Sequence, residues 1–202
     1  MSVLPLIFTS SWASGVNAYA VVLLMGLMGA TGVSDQVPDG LQRTDVLLVA
    51  GALYVCEAVA DKIPYVDTVW DAVHTVVRPA AGAVVAALLA GQDGSVPQLA
   101  AAALGGTTAL LSHMVKAGTR LAVNTSPEPA SNIVLSLLED MGVAALVAFA
   151  LFHPVVAAVI AGTLLALGIA TVVLLFKRIR RAWRRRQERR AARGGKGTPA
   201  PA

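Results

Sequence analysis

The sequence predicts an all-α, polytopic transmembrane bundle of about six spans, and three observations predict it. Apolar residues make up 56% of the chain and charged residues only 14%, against roughly 45 to 50% apolar in soluble domains. The mean hydropathy is +0.68. Charge is also segregated: from Lys177 onward there are eleven Lys or Arg and one acid, Glu188, whereas the preceding chain holds five basic and eleven acidic residues. The net charge of +4 therefore hides a basic tail behind an acidic body. The chain divides into a helical membrane domain, residues 1–176, and a basic, partly disordered tail, 177–202.

The elements follow in order. Met1 to Thr9 lacks the basic start of a secretory signal and reads as retained. Ser10 to Gly29 (SSWASGVNAYAVVLLMGLMG) reads as the first span. Its Ser11, Gly15 and Ala18 form a thin face suited to close helix packing or to a homo-oligomer. A loop with Pro38 and the turn pair Asp39-Gly40 leads to a second span, VLLVAGALYVCEAVADKI, capped by Thr44 or Asp45. Cys56, the one cysteine, sits in this apolar run and reads as packing. Pro64 breaks the chain. The following YVDTVWDAVHTVVRPAAGAVVAALLAG reads either as one helix kinked at Pro79 or as a re-entrant or interfacial helix followed by the third span, with Asp67 or Thr68 as its cap. LAAAALGGTTALLSHMVKAG is the fourth span, IVLSLLEDMGVAALVAFALF the fifth and VVAAVIAGTLLALGIATVVLLF the sixth. Proline-marked joints and polar helix ends suggest a weak internal repeat.

Charges within such a chain mark the residues of interest, because an ionised group facing lipid is expensive. Asp71, His74 and Arg78 fall at i, i+3 and i+7, on one helix face; His113, Lys116 and Arg120 repeat that spacing on the fourth span with positive sign. Glu57 and Asp61 lie one turn apart, Lys62 follows them, and the fifth span buries Glu139 and Asp140. Like charges one turn apart repel, so each face needs an opposite partner. The expectation is a buried polar centre of Glu57, Asp61, Lys62, Asp71, His74, Arg78, His113, Lys116, Arg120, Glu139 and Asp140. Pro64, Pro79, Gly105 and Gly106 are the expected helix breaks, of the kind transport sites use.

The strings SWASGVNAYA, VPDGLQRTD, ADKIPYVDTVWDAVHTVVRP and VKAGTRLAVNTSPEPASN together resemble an uncharacterised bacterial membrane-protein family, domain of unknown function 4126, over about Phe8 to Ala170. The resemblance implies a multi-span membrane protein and carries no catalytic assignment.

Two functions fit these residues. Transport or permeation of a small polar or ionic solute would use the polar centre as its path. A non-catalytic scaffold or lipid-interacting protein would use the same charges as structural ion pairs. The two readings separate on whether a cavity reaches the charges. Enzyme chemistry is disfavoured: no HExxH, GxSxG, P-loop or dinucleotide fingerprint occurs, and no catalytic residue, metal site or cofactor is expected. The tail residues Lys177, Arg178, Arg180, Arg181, Arg184, Arg185 and Arg186 follow directly on an apolar span. That placement points to anionic lipid at the cytoplasmic face of the plasma membrane rather than to nucleic acid. Six spans would then put both termini in the cytoplasm.

Overall fold

The computed structural model describes residues 3–63, 65–123 and 129–194, and among these every regular element is a helix. Helix α1 (Leu4–Val16) carries Pro5 in its first turn, where a missing N–H costs no hydrogen bond. It is the axis of the bundle, packed against α5, α6, α7 and α8. Three of its buried polar residues bond to their own backbone. Thr9, Ser10 and Ser14 donate to the carbonyls of Pro5, Leu6 and Ser10 at 2.9, 2.8 and 2.8 Å, the local satisfaction open to Ser and Thr in a helix.

The first expected span is corrected here. At Asn17 the backbone is extended (φ −149°, ψ 98°), and a separate helix, α2 (Ala18–Ala30), begins. Val3 and Leu6, from the start of α1, line one cavity of about 410 Å³ with Asp35 and Gln36, just past α2, and with Gln92 and Phe152. The outer ends of α1 and α2 therefore lie at the same end of the bundle. The two helices form a hairpin with Asn17 at its tip. Thirteen residues in α1 place that tip about 20 Å into the bundle at 1.5 Å per residue.

The remaining helices run end to end. After the short α3 (Asp39–Gln42), α4 (Thr44–Ala60) lies antiparallel to α2, with Gly26 against Leu47 and Gly51 against Leu23. Helix α5 (Val66–Asp93) returns and stops at Gly94, whose left-handed φ of 69° closes the helix by bonding back to the Ala90 carbonyl, the usual role of glycine there. Helices α6 (Gln98–Val123), α7 (Pro129–Phe152) and α8 (Pro154–Gly194) complete the bundle. Pro154 opens α8, as proline does at a first helical position.

Three further expectations change. The chain after residue 65 is one helix of 28 residues, the first of the two expected readings, but it passes through Pro79 without a break. Pro64 itself lies outside the described residues. Gly105 and Gly106 sit inside the unbroken α6. Their use is packing: a Cβ on Gly105 would strike Ala86 and the Gly82 carbonyl, and one on Gly82 would strike Ala109. The most extensive helix pairing, α5 with α6, thus rests on small residues that let backbones approach closely. Cys56 is exposed rather than packed.

Among the described residues, three helices are long and apolar enough to cross a membrane: Val66–Asp93, Ile133–Phe152 and Pro154–Arg185. Six spans are not confirmed. The distribution of residues is nevertheless that of a membrane protein. Leu48, Val76, Val159 and Leu167 are 60 to 75% exposed, while Glu57 and Arg78 are fully buried. A soluble domain would not present such an apolar exterior around a charged interior.

Candidate functional site

The helix period does the first part of the assembly. On α5 it aligns Asp67, Asp71, His74 and Arg78, and on α6 His113, Lys116 and Arg120; all seven are buried. Facing each other at the end of the bundle opposite the hairpin base, these stripes meet Glu57 and Asp61 from the end of α4, and Glu139 from α7.

Arg78 is the hub on α5. It donates from Nη2 to Glu57 Oε1 at 2.8 Å and from Nη1 to Asp71 Oδ1 at 3.0 Å. The same Nη1 stands 2.8 Å from His113 Nδ1. A guanidinium only donates, so Nδ1 accepts. The Thr75 hydroxyl spends its proton on the Asp71 carbonyl at 3.0 Å, and His113 Nε2 lies 3.1 Å from that oxygen. The His113 ring is therefore the neutral tautomer carrying its proton on Nε2. His74 donates from Nδ1 to the Trp70 carbonyl (2.7 Å), its Nε2 lies 2.9 Å from the Tyr19 hydroxyl, and its ring stacks on Trp70.

Lys116 and Arg120 tie in the other helices. Lys116 Nζ donates to Asp61 Oδ2 at 2.6 Å and stands 3.4 Å from Glu57 Oε1. Arg120 donates to the Asp61 carbonyl at 2.8 Å, to Asp61 Oδ2 at 3.1 Å and to Glu139 Oε2 at 2.5 Å, and approaches Asp67 Oδ2 at 3.8 Å. Pairing of this kind is what makes buried charge tolerable.

The hairpin tip is part of the site. Asn17 Oδ1 accepts from the Ala20 N–H at 2.9 Å, capping α2. That bond takes the N–H which an unbroken helix would have offered to the Val16 carbonyl. Lys116 replaces it, donating to Val16 O at 2.9 Å. A cation thus sits at the C-terminal end of α1, where the helix dipole favours it. Asn17 Nδ2 donates to Asp140 Oδ1 at 3.0 Å, drawing α7 to the tip.

Of the expected residues, Glu57, Asp61, Asp71, Arg78, His113, Lys116, Arg120 and Glu139 share one network. His74 joins it only as a neighbour of Arg78 along α5, and Asp140 belongs to the tip. Lys62 stands apart, its ammonium donating to the Ala58 carbonyl at 2.7 Å. Sequence reasoning missed Asn17, Tyr19 and the buried role of Asp67. Asp67 precedes Asp71 by one turn, so its spacing did carry the signal. Asn17 in an apolar run was a signal of a cap, although hydropathy alone passes over it.

The network is unbalanced and reachable. Among the described residues, five carboxylates (Glu57, Asp61, Asp67, Asp71, Glu139) meet three permanent cations (Arg78, Lys116, Arg120). Glu57 Oε2, Asp71 Oδ2 and the Nε atoms of Arg78 and Arg120 are buried without a hydrogen-bond partner among those residues. A cleft of about 190 Å³ between α5 and α6 has Asp71 and Arg120 in its wall, with Thr68, Ala72, Thr75 and Leu121 around it.

The family model described as "Domain of unknown function (DUF4126)" matches residues 4–173. The chain belongs to this family. The match covers the hairpin, every residue of the network and α8 as far as the tail. No curated protein and no solved structure matches the chain.

Proposed function

We propose that this DUF4126 protein passes a small polar or ionic solute through the buried polar centre. The observation that carries this reading is the cleft that reaches Asp71 and Arg120, since a sealed set of structural ion pairs needs no approach from outside. Two features support it. The carboxylate excess gives the centre an affinity for positive charge, and a helix interrupted inside the bundle is a device that places backbone ends at a solute site. In this reading α4 to α8 cross the plasma membrane and the α1–α2 hairpin enters from the far face without crossing. The tail, from Lys177 through Arg186, lies on the cytoplasmic side against anionic lipid, following the rule that basic segments stay inside.

A second reading, a scaffold with structural charges, is favoured by one observation: Arg78, Lys116 and Arg120 each have carboxylate partners within 3.1 Å. The two readings part in liposomes. Purified protein should carry protons, alkali cations or small organic solutes in a flux panel, and Asp71→Asn should reduce that flux at least tenfold while the protein stays folded. No flux by the natural chain across the panel, with Asp71→Asn altering stability only, would leave the scaffold reading.

A further inference from the structure

Helices α6 and α8 touch at two glycines and part beside them. A Cβ on Gly118 would lie 3.1 Å from Val172, and one on Gly168 would strike Val115. Next to this contact the helices leave an apolar recess of about 500 Å³, walled by Met114, Ala117 and Leu121 of α6 and by Ile169, Val173 and Phe176 of α8. Its polar lining residues, Thr75 and His113, are bonded to each other and to Asp71 and Arg78, so the recess suits an apolar occupant. Toward the tail it runs into a second hollow on α8, which shares Val172, Val173 and Phe176 with it and ends at Lys177, Arg180 and Trp183. Ile169, Val172, Val173, Phe176, Arg180 and Trp183 follow at i, i+3, i+4, i+7, i+11 and i+14, along one helix face. From Ile169 to Trp183 that face runs about 21 Å at 1.5 Å per residue. The acyl layer of one leaflet is shorter, about half of a roughly 30 Å core.

We propose that this groove binds one anionic phospholipid, with an acyl chain between α6 and α8 and the phosphate at Lys177 and Arg180. The order of chemistry along the groove is that of an amphiphile. It is apolar within the span, reaches Trp183 where an indole suits the headgroup boundary, and carries its two cations at that same end. Lys and Arg lay their stems along apolar surface and keep their charged heads at the interface. Among the described residues neither Lys177 nor Arg180 has an ion-pair partner. The opposite charge is left for the occupant to bring, and a phosphate accepts such charge-assisted bonds. A neutral lipid would fill the recess and leave both cations unmatched. A second copy, facing the groove across a two-fold axis, would set the basic run from Lys177 to Arg186 against its equal, like charge against like. Thr75, Ala117 and Leu121 line both the recess and the cleft at Asp71 and Arg120, so the bound chain lies along the flank of that cleft.

The proposal rests on the membrane placement of α8 and its tail, and its test does not use flux. The full chain in detergent micelles would be titrated with phosphatidylglycerol or phosphatidylcholine, and the retained lipids counted by native mass spectrometry. The expected result is one phosphatidylglycerol per chain, saturating at a concentration where phosphatidylcholine is not retained. Lys177→Gln together with Arg180→Gln should raise the half-saturating concentration about tenfold, the loss of two cations facing an anionic headgroup. Ala117→Leu puts a larger side chain into the recess, keeps every charge, and should raise it by a similar factor. If Ala117→Leu does not fold, Val173→Phe, on the exposed wall, decides. Equal retention of the two lipids overturns the site. So does weakening by the charge variants with no effect of the filling variants, which would leave only the attraction of a basic tail to an anionic surface. A dimer that Val173→Phe separates would assign the groove to a second copy instead. Phosphatidylglycerol retained without solute flux keeps the site and removes the transport reading; flux with no lipid retained does the reverse.

Discussion

Helices α5 and α6 are packed together by two different means along their length. Toward the hairpin base, Gly82, Ala86, Gly105 and Ala109 bring the backbones close, and Ser11 and Gly15 of α1 fit into the same contact. Toward the tail, the same two helices present Asp71, Arg78, His113, Lys116 and Arg120. The first half is close-packed and neutral. The second is buried and ionic. One pair of helices therefore serves as its own control: close packing of small residues was available, and half of the interface uses it. A buried ion network breaks even at best against apolar packing. Its presence beside a working apolar alternative argues that the charges serve something other than adhesion.

That comparison can be tested by disturbing each half. The largest effect is expected at the ionic end. Arg78→Met leaves Glu57 and Asp71 buried without their shared partner, and should cost about 3–5 kcal/mol of stability, read from reversible unfolding in mixed micelles. Adding Glu57→Gln should recover part of that loss; no recovery would show that the pair is not coupled. At the dry end, Gly105→Ala forces a methyl against Ala86 and the Gly82 carbonyl, and overpacking of this sort costs about 1–3 kcal/mol. The smallest loss should come from the tip. Asn17→Ala removes the cap of α2, worth about 0.5–2 kcal/mol, and should speed amide exchange at Ala20 more than at Ala86. Equal exchange changes at the two positions would mean that the tip is not a local element.

How much was legible in the sequence follows from the same geometry. The two charged stripes were, because the helix period turns spacing into a face, and their opposite signs called for pairing. The hairpin was not. Hydropathy integrates over a window and cannot register one extended residue, so Ser10 to Gly29 reads as a span although Asn17 turns the chain back. Gly105 and Gly106 misled in the other direction, since glycine in a membrane helix permits either a break or a close approach, and only the facing Gly82 and Ala86 decide between them. Pro79 is tolerated inside α5. The contact of Tyr19 with His74 joins helices distant in sequence and left no local trace.

The claim on which the account depends is that the charged centre is open to water from the tail side. It is tested most directly by cysteine accessibility. With the exposed Cys56 replaced by alanine, Thr68→Cys would be reacted in oriented liposomes with a membrane-impermeant maleimide. The account predicts modification from the tail face. A cysteine at this position that reacts from neither face, in protein that stays folded, would mean that the ion network is sealed and the cleft is not a path.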